Sequence, residues 1–182
     1  MSDGIAIETD RLILREWREE DLEPFAQMSM DPRVMEFFPS VQGKQTCRDT
    51  IAWISESIAA VGFAYWSVEV KGGPPFIGLI GLSQPSFEAS FTPCVEVGWR
   101  LAYEHWGKGY AMEGALASLT FGFETIGLDE IFAFCVHNNM PSRAVMERLG
   151  MTRDKASDFN HPKLDPASPL CPHVVYRIAK PG

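Results

Sequence analysis

His105-Trp106-Gly107-Lys108-Gly109-Tyr110-Ala111 joins a strand-like run, Cys94-Val95-Glu96-Val97-Gly98-Trp99-Arg100-Leu101, to a long segment of helical periodicity. A strand that breaks through a glycine turn into a helix leaves unpaired backbone N–H groups at the positive end of the helix dipole. Such an end is a seat for a phosphate or pyrophosphate. Glycine lets the backbone approach the anion with no side chain in the way. Taken alone, a Gly-x-Gly favours an ordinary strand-to-helix turn, so the flanking sequence has to decide.

Downstream, Met112, Leu116, Leu119, Phe123 and Ile126 recur at alternating spacings of four and three, which predicts a helix from about Gly109 to Ile126 with these five residues as its buried stripe. Gly127 suits its C-terminal cap. Ile131 to Val136 reads as a central strand, nearly all apolar. Asn138-Asn139-Met140-Pro141-Ser142 opens a short helix that Gly150 ends, with Pro141 in its first turn. A strand near Thr152 to Asp158, a proline-punctuated loop and a last strand at His173 to Ile178 follow.

Upstream, Glu8 to Trp17 reads as one strand, with Leu12 and Leu14 alternating against Arg11, Ile13 and Arg15. Acidic Glu19, Glu20 and Asp21 suit the start of a helix whose inner face is Leu22, Phe25 and Met28 or Ser29, ended by Asp31-Pro32. A second helix spans about Gln45 to Ala60, with Ile51, Ile54 and Ile58 turned inward. Strand signals cover Ala64 to Val70, Phe76 to Ser83 and Pro93 to Leu101. Gly72-Gly73-Pro74-Pro75 turns the first pair into a hairpin, and Gly78 and Gly81 mark a bulge or a close backbone approach. The predicted order is strand, two helices, three strands, helix, strand, helix, two strands: one domain over residues 1–182, built as a mixed α/β (α+β) sheet with helices packed on it.

Composition narrows the function classes. The net charge of −8, from 24 acidic residues against 16 Lys and Arg, argues against a nucleic-acid surface, which needs clustered cations. It suits a cationic partner such as an amine, and equally plain solubility. No apolar run approaches a membrane span, and Met1-Ser2-Asp3-Gly4 leads into charged sequence, so a cytoplasmic protein without membrane contact is expected. Cys47, Cys94, Cys135 and Cys171 are far apart and form no Cys-x-x-Cys pair, the pattern of free thiols and of no metal site.

With these segments in order, the chain resembles the GCN5-related N-acetyltransferase (GNAT) superfamily over nearly its whole length, and most of all its RimJ/RimL-type branch of ribosomal-protein N-acetyltransferases. Thr9-Asp10-Arg11-Leu12-Ile13-Leu14-Arg15 resembles the branch's opening strand, Asp31 to Met35 the segment after its first helix, and Glu96 to Leu101 its fourth strand. Trp106 to Ala111 matches the last four positions of the acetyl-CoA signature (Arg or Gln)-x-x-Gly-x-(Gly or Ala), with Trp106 in place of Arg or Gln. Asn139 to Ser142, with Leu149-Gly150, resembles the Asn-x-x-Ser helix and its Leu-Gly-Phe ending, Met151 replacing the aromatic residue.

The resemblance implies a mostly antiparallel sheet of about seven strands with four helices, the fourth and fifth strands splayed, and an acetyl-CoA-dependent transfer to a primary amine on a protein N-terminus or a small molecule. Pantetheine would lie along the backbone of Trp99 and Leu101. The pyrophosphate would sit on the N–H groups of the loop formed by Trp106, Gly107, Lys108, Gly109, Tyr110 and Ala111. The Lys108 side chain either adds charge there or is simply solvated. Asn139 either contacts the cofactor or caps its helix.

Glu96 stands where some relatives carry a general base, and reads alternatively as a strand-face glutamate paired with a cation. Many relatives protonate the thiolate with a tyrosine at the position of Met146, which leaves Ser142 as the thiolate partner, or as a first-turn hydroxyl. Glu113 reads as structural, suited to the helix dipole. His161 and His173 bound a loop that either meets the acceptor or is merely stiffened by proline. Trp53, Phe63, Tyr65 and Trp66 divide between an acceptor cleft and the core. A non-catalytic acyl-CoA sensor is the alternative that the missing tyrosine keeps open, and a homodimer is left open as well.

Overall fold

The computed structural model describes residues 4–182. Among them nine strands form a single sheet in the order β1-β2-β3-β4-β5-β6-β9-β7, with β8 paired to β9. The strands are β1 (Ile5–Glu8), β2 (Leu12–Arg15), β3 (Tyr65–Val70), β4 (Gly78–Ser83), β5 (Glu96–Leu101), β6 (Glu130–Val136), β7 (Thr152–Arg153), β8 (Phe159–Asn160) and β9 (Pro172–Ala179). Four α-helices accompany them: α1 (Leu22–Met30), α2 (Lys44–Val61), α3 (Tyr110–Phe121) and α4 (Met140–Arg148). The count exceeds the expected seven because β1 lies ahead of the predicted opening strand, sharing only Glu8 with it, and β8 lies just past the strand predicted at Thr152 to Asp158. Between β1 and β2 the chain folds back at Thr9, whose hydroxyl accepts from the Leu12 N–H at 2.9 Å. The segment after α4 is interrupted by a 3-10 turn at Lys155–Ser157.

The strands alternate their side chains between two cores. Leu12, Leu14, Trp66, Val68, Ile80, Leu82, Val97 and Leu101 face α3 and α4 and meet Ala115, Leu119, Phe123 and Met146. Tyr65 and Leu79 face the other way, toward Leu22, Phe25, Met28 and Cys47 of α1 and α2. Gly78 and Gly81 sit where strands press closest: a Cβ would come within 2.2 Å of the Arg100 carbonyl oxygen at Gly78 and within 2.3 Å of the Ala64 carbonyl oxygen at Gly81.

Two expectations need correction. Leu116 is 50% exposed and not part of the α3 stripe. The buried face of α3 is Gly114, Ala115, Ser118 and Leu119, continued by Gly122 and Phe123 in a terminal π-helical turn. These small residues bring the helix so near the sheet that a Cβ on Gly114 would lie 2.5 Å from Ile80 Cδ1, and Leu116 is rotated off that contact line. Arg15, expected opposite the leucine face, is indeed there but only 1% exposed. Asp21 takes both ends of its guanidinium at 2.7 and 2.9 Å, Glu69 accepts from Nε at 3.1 Å, and the carbonyls of Glu16 and Pro75 take the rest. Burial of a cation is sustainable when it is paired and hydrogen-bonded in this way.

β5 is the element that positions the site. One edge pairs antiparallel with β4 along its full length, Gly78 to Ser83 against Leu101 to Glu96. The other edge meets β6 in parallel at one residue pair, Glu96 with Phe132, and then diverges. The splay expected of the fourth and fifth strands is therefore present, here between β5 and β6. No helix among the described residues is long and apolar enough to cross a membrane.

Candidate active site

The glycine loop lies just beyond the open end of this splay. Gly107 and Gly109 take positive φ, 72° and 81°, a conformation glycine reaches without strain. Gly109 is the N-cap of α3, so the first N–H groups of the helix point out of its end, unpaired by the helix itself. A Cβ on Gly107 would meet nothing within 4 Å, so the loop is open on that side. Open space, outward N–H groups and a helix N-terminus together fit a diphosphate.

Arg11 braces this loop from the start of β2. Its Nε donates to Glu113 at 2.6 Å, its Nη1 donates to the Lys108 carbonyl at 2.9 Å, and its guanidinium lies 4.7 Å from the Tyr110 ring centre. Glu113 also accepts from the Thr9 hydroxyl at 2.6 Å and the Arg11 N–H at 2.9 Å. Burial alone would raise its carboxyl, but these bonds outweigh it and hold the group below the ordinary value. Glu113 is thus structural through tertiary contacts, and Lys108 takes part through its carbonyl while its side chain is exposed. The Trp106 indole N–H donates to the Leu101 carbonyl at 2.8 Å and ties the turn to the end of β5.

A cavity of about 500 Å³ opens along β5, between that strand, α2, α4 and the loop before β9. Glu96, Trp99, Asn139 and Ser142 line it, with His161 and His173. The cavity thus takes Glu96, Trp99, Asn139 and Ser142 and the glycine loop takes residues 106–111, while the Leu101 side chain lies buried in the core between them. Glu96 is partly buried and accepts a hydrogen bond from the Tyr65 hydroxyl at 2.9 Å. Desolvation pushes its carboxyl up to about 7, against the smaller opposing effect of the tyrosine bond. It forms no ion pair among the described residues, which removes the reading of a cation-paired strand glutamate.

Asn139 caps α4, its Oδ1 accepting from the Ser142 N–H at 3.2 Å. Met146, at the family's tyrosine position, is buried in the core as well as bordering the cavity. The rings of His161 and His173 lie 5.1 Å apart, and burial lowers both below the ordinary histidine value, so both are neutral at pH 7. Of the four aromatic residues in doubt, Trp53 and Tyr65 line the cavity while Phe63 and Trp66 belong to the core. Cys135 is also on the wall, its thiol pushed up to about 12 by burial and so a poor nucleophile at neutral pH.

Sequence reasoning missed two groups. Phe87 and Phe91 come from the segment between β4 and β5 and pack against Phe132, Phe134, Phe159 and His161, fixing the loop that carries the histidines. Arg100 also lines the cavity, four residues from Glu96 and on the same face of β5. That spacing was the available signal. The support of the glycine loop by Arg11 has no local signal, since the two segments are about a hundred residues apart.

Comparison with known proteins agrees with this geometry. The family model described as Acetyltransferase (GNAT) domain matches residues 11–152. Among curated proteins, the chain is 30% identical over 148 residues to the uncharacterized protein YkkB of Bacillus subtilis, covering 81% of this chain and 85% of that one. It is 33% identical over 153 residues to the FsC-acetyl coenzyme A-N(2)-transacetylase of Aspergillus fumigatus, covering 80% of this chain and 64% of that one. Among solved structures, an acetyltransferase (GNAT family) from Bacillus anthracis superposes with a TM-score of 0.76 at 28% identity, over 95% of this chain and 97% of the other.

Proposed function

The chain belongs to the GNAT acetyltransferases, and from that membership we propose that it moves an acetyl group from acetyl-CoA directly to a primary amine held in the cavity beside β5. The observation that carries this reading is the Glu96–Tyr65 pair, a carboxyl at about 7 on a cavity wall that adjoins the unpaired edge of β5.

Acetyl-CoA supplies an activated thioester carbonyl. The backbone of Trp99 and Leu101 along the open edge of β5 binds its pantetheine, and the N–H groups from Gly107 to Ala111 hold its diphosphate, with Trp106 tying the loop down. Lys108 adds charge at the rim. Asn139 keeps its amide N–H groups for the cofactor, since its oxygen is taken by the helix cap.

A carboxyl near 7 is half ionised at neutral pH, which suits a general base. Glu96 accepts the proton that the amine loses as the C–N bond forms, and the Tyr65 hydroxyl holds it in place. The N–H of Val97 or Trp99 polarises the carbonyl oxygen, and the Ser142 hydroxyl hydrogen-bonds the departing thiolate as the C–S bond breaks; the thiolate takes its proton from water while Glu96 returns the amine's proton to solvent. The products are the amide and the free CoA thiol. No cysteine intermediate is needed, in keeping with the raised Cys135 thiol. The motifs closest to the RimJ/RimL branch, at Thr9 to Arg15 and Asn139 to Ser142, place peptide N-termini among the acceptors to try, beside small amines.

The test is thiol release from acetyl-CoA against peptide N-termini, amino acids, polyamines and aminoglycosides, with calorimetric CoA binding alongside. Amine-dependent thiol release that falls at least a hundredfold in Glu96→Gln supports the reading. Release that Glu96→Gln leaves unchanged at every pH removes Glu96 from the chemistry.

A further inference from the structure

Two arginines held against the sheet, Arg15 fully buried and Arg100 half-buried, are treated in opposite ways. Arg15 is surrounded by two carboxylates and two carbonyls. Arg100, on the cavity wall, has one neutral partner: its Nη1 donates to Gln42 Oε1 at 3.2 Å. Its guanidinium lies 4.4 Å from the Phe38 ring centre, and its Nε is buried with no hydrogen-bond partner among the described residues. Burial lowers its pKa to about 10, so it stays charged at neutral pH. A cation partly withdrawn from water without an anion is costly, and a buried polar atom without a partner, as this Nε is, is rare.

Nothing on the wall neutralises it. Among the described residues, Glu96 is the only acidic one lining the cavity, and Arg100 the only lysine or arginine. Glu96 is turned to Tyr65, and a carboxyl raised to about 7 is not one that a guanidinium holds ionised. The Tyr65 hydroxyl lies over Gly98, where a Cβ would come within 3.0 Å of it, and so separates Glu96 from Arg100 along the strand face. Both histidines are neutral. The cavity thus offers a proton acceptor at one end of β5 and a single uncompensated cation at the other.

We infer that the acceptor is an amino carboxylate, its amine beside Glu96 and its carboxylate paired with Arg100. A single guanidinium matches one negative charge, and its planar fork fits a carboxylate in two parallel bonds. With no second cation on the wall, a phosphate dianion would be under-neutralised. A polyamine or aminoglycoside would bring further positive charge against Arg100. This assignment rests on the acetyl-transfer reading of the same cavity and narrows it to one acceptor class.

The test compares amino acids of increasing amine-to-carboxylate span, from glycine to 6-aminohexanoate, with their carboxamides, and adds short peptides with an acidic residue near the N-terminus. Thiol release from acetyl-CoA gives kcat and KM, and calorimetry on the protein–CoA complex gives binding without turnover. The acids are expected to have a KM roughly 10- to 100-fold below the amides, the worth of a charge-assisted hydrogen bond. Arg100→Gln should erase that difference while keeping CoA affinity, and Arg100→Lys should restore part of it.

Free amino acids favoured over acidic peptides, or the reverse, identifies the source of the carboxylate. Amides or polyamines turned over as well as the acids would overturn the assignment and leave acetyl transfer standing. Acids that bind through Arg100 without turnover would keep the carboxylate subsite and overturn the transfer reading. Because wild-type protein alone decides between acid and amide, the test does not depend on the variants folding.

Discussion

Glu96→Gln should make the protein slower and, above neutral pH, more stable. The ordinary carboxyl value is 4.5, and the folded chain raises this one to about 7. Below pH 4.5 the group is protonated in both folded and unfolded chains and contributes nothing to their difference. Between 4.5 and 7 the unfolded chain ionises while the folded one resists, so stability falls as pH rises. Above 7 both are ionised and the loss is complete. At about 1.4 kcal/mol per pKa unit the folded state is destabilised by roughly 3 kcal/mol, equivalent to roughly 6–12 °C in Tm for a domain of this size.

Glutamine keeps an oxygen for the Tyr65 hydroxyl and cannot ionise, so it removes the penalty and keeps the bond. Thermal unfolding of both proteins from pH 4 to 9 isolates the effect, since every other titrating group is common to the two. The Tm difference should be small at pH 4, grow through 7 in favour of the variant, and level off. The same substitution should slow acetyl transfer by roughly 10²- to 10⁴-fold. A Tm difference that stays flat with pH, or a variant less stable at pH 8, would refute the reasoning.

Gly109→Val forces a β-branched residue into a left-handed conformation and crowds Arg11, so CoA affinity should drop about a hundredfold or more by calorimetry. Unchanged affinity would take the loop out of cofactor binding. Gly78→Ala drives a Cβ into the Arg100 carbonyl at 2.2 Å, and should lower stability by about 3 kcal/mol, or prevent folding, in denaturant titration. A silent substitution there would mean β4 and β5 are less tightly apposed than described. Ser142→Ala should reduce kcat roughly tenfold with KM for acetyl-CoA nearly unchanged; an equal loss of CoA affinity would assign the hydroxyl to binding instead.

The parts of the fold legible in the sequence are those governed by short-range rules. The caps at Gly127 and Gly150, the turn at Gly72–Pro75 and the strand-loop-helix around Gly107 and Gly109 follow from backbone preferences of a few adjacent residues. The α3 stripe was misjudged at Leu116 because periodicity assumes that the largest apolar residues face inward. Here the sheet demanded glycine, alanine and serine for close approach, and the leucine was displaced. In the site, the glycine loop and Glu96 were visible from motif and strand position. The Tyr65 bond to Glu96, the bracing of the loop by Arg11 and the unpartnered state of Arg100 depend on strand neighbours and on which partners are missing, and neither is written in local sequence.

β5 answers to three masters at once. Val97, Trp99 and Leu101 pack into the core, the first two also bordering the cavity; Glu96, Gly98 and Arg100 line the cavity from the opposite face; and beyond Glu96 one edge of the strand is unpaired. Because a strand alternates its faces, a change at position 96 or 100 acts on the side of Tyr65 and Phe38 and not on that of Val97 and Leu101, a Cβ at 98 would press on Tyr65 Cε1 at 2.9 Å, and a slip of one residue would exchange the two faces. Under the acetyl-transfer reading, acceptor choice is therefore written on the Glu96 and Arg100 face of β5 and donor binding on its edge, so that one can change while the other is kept.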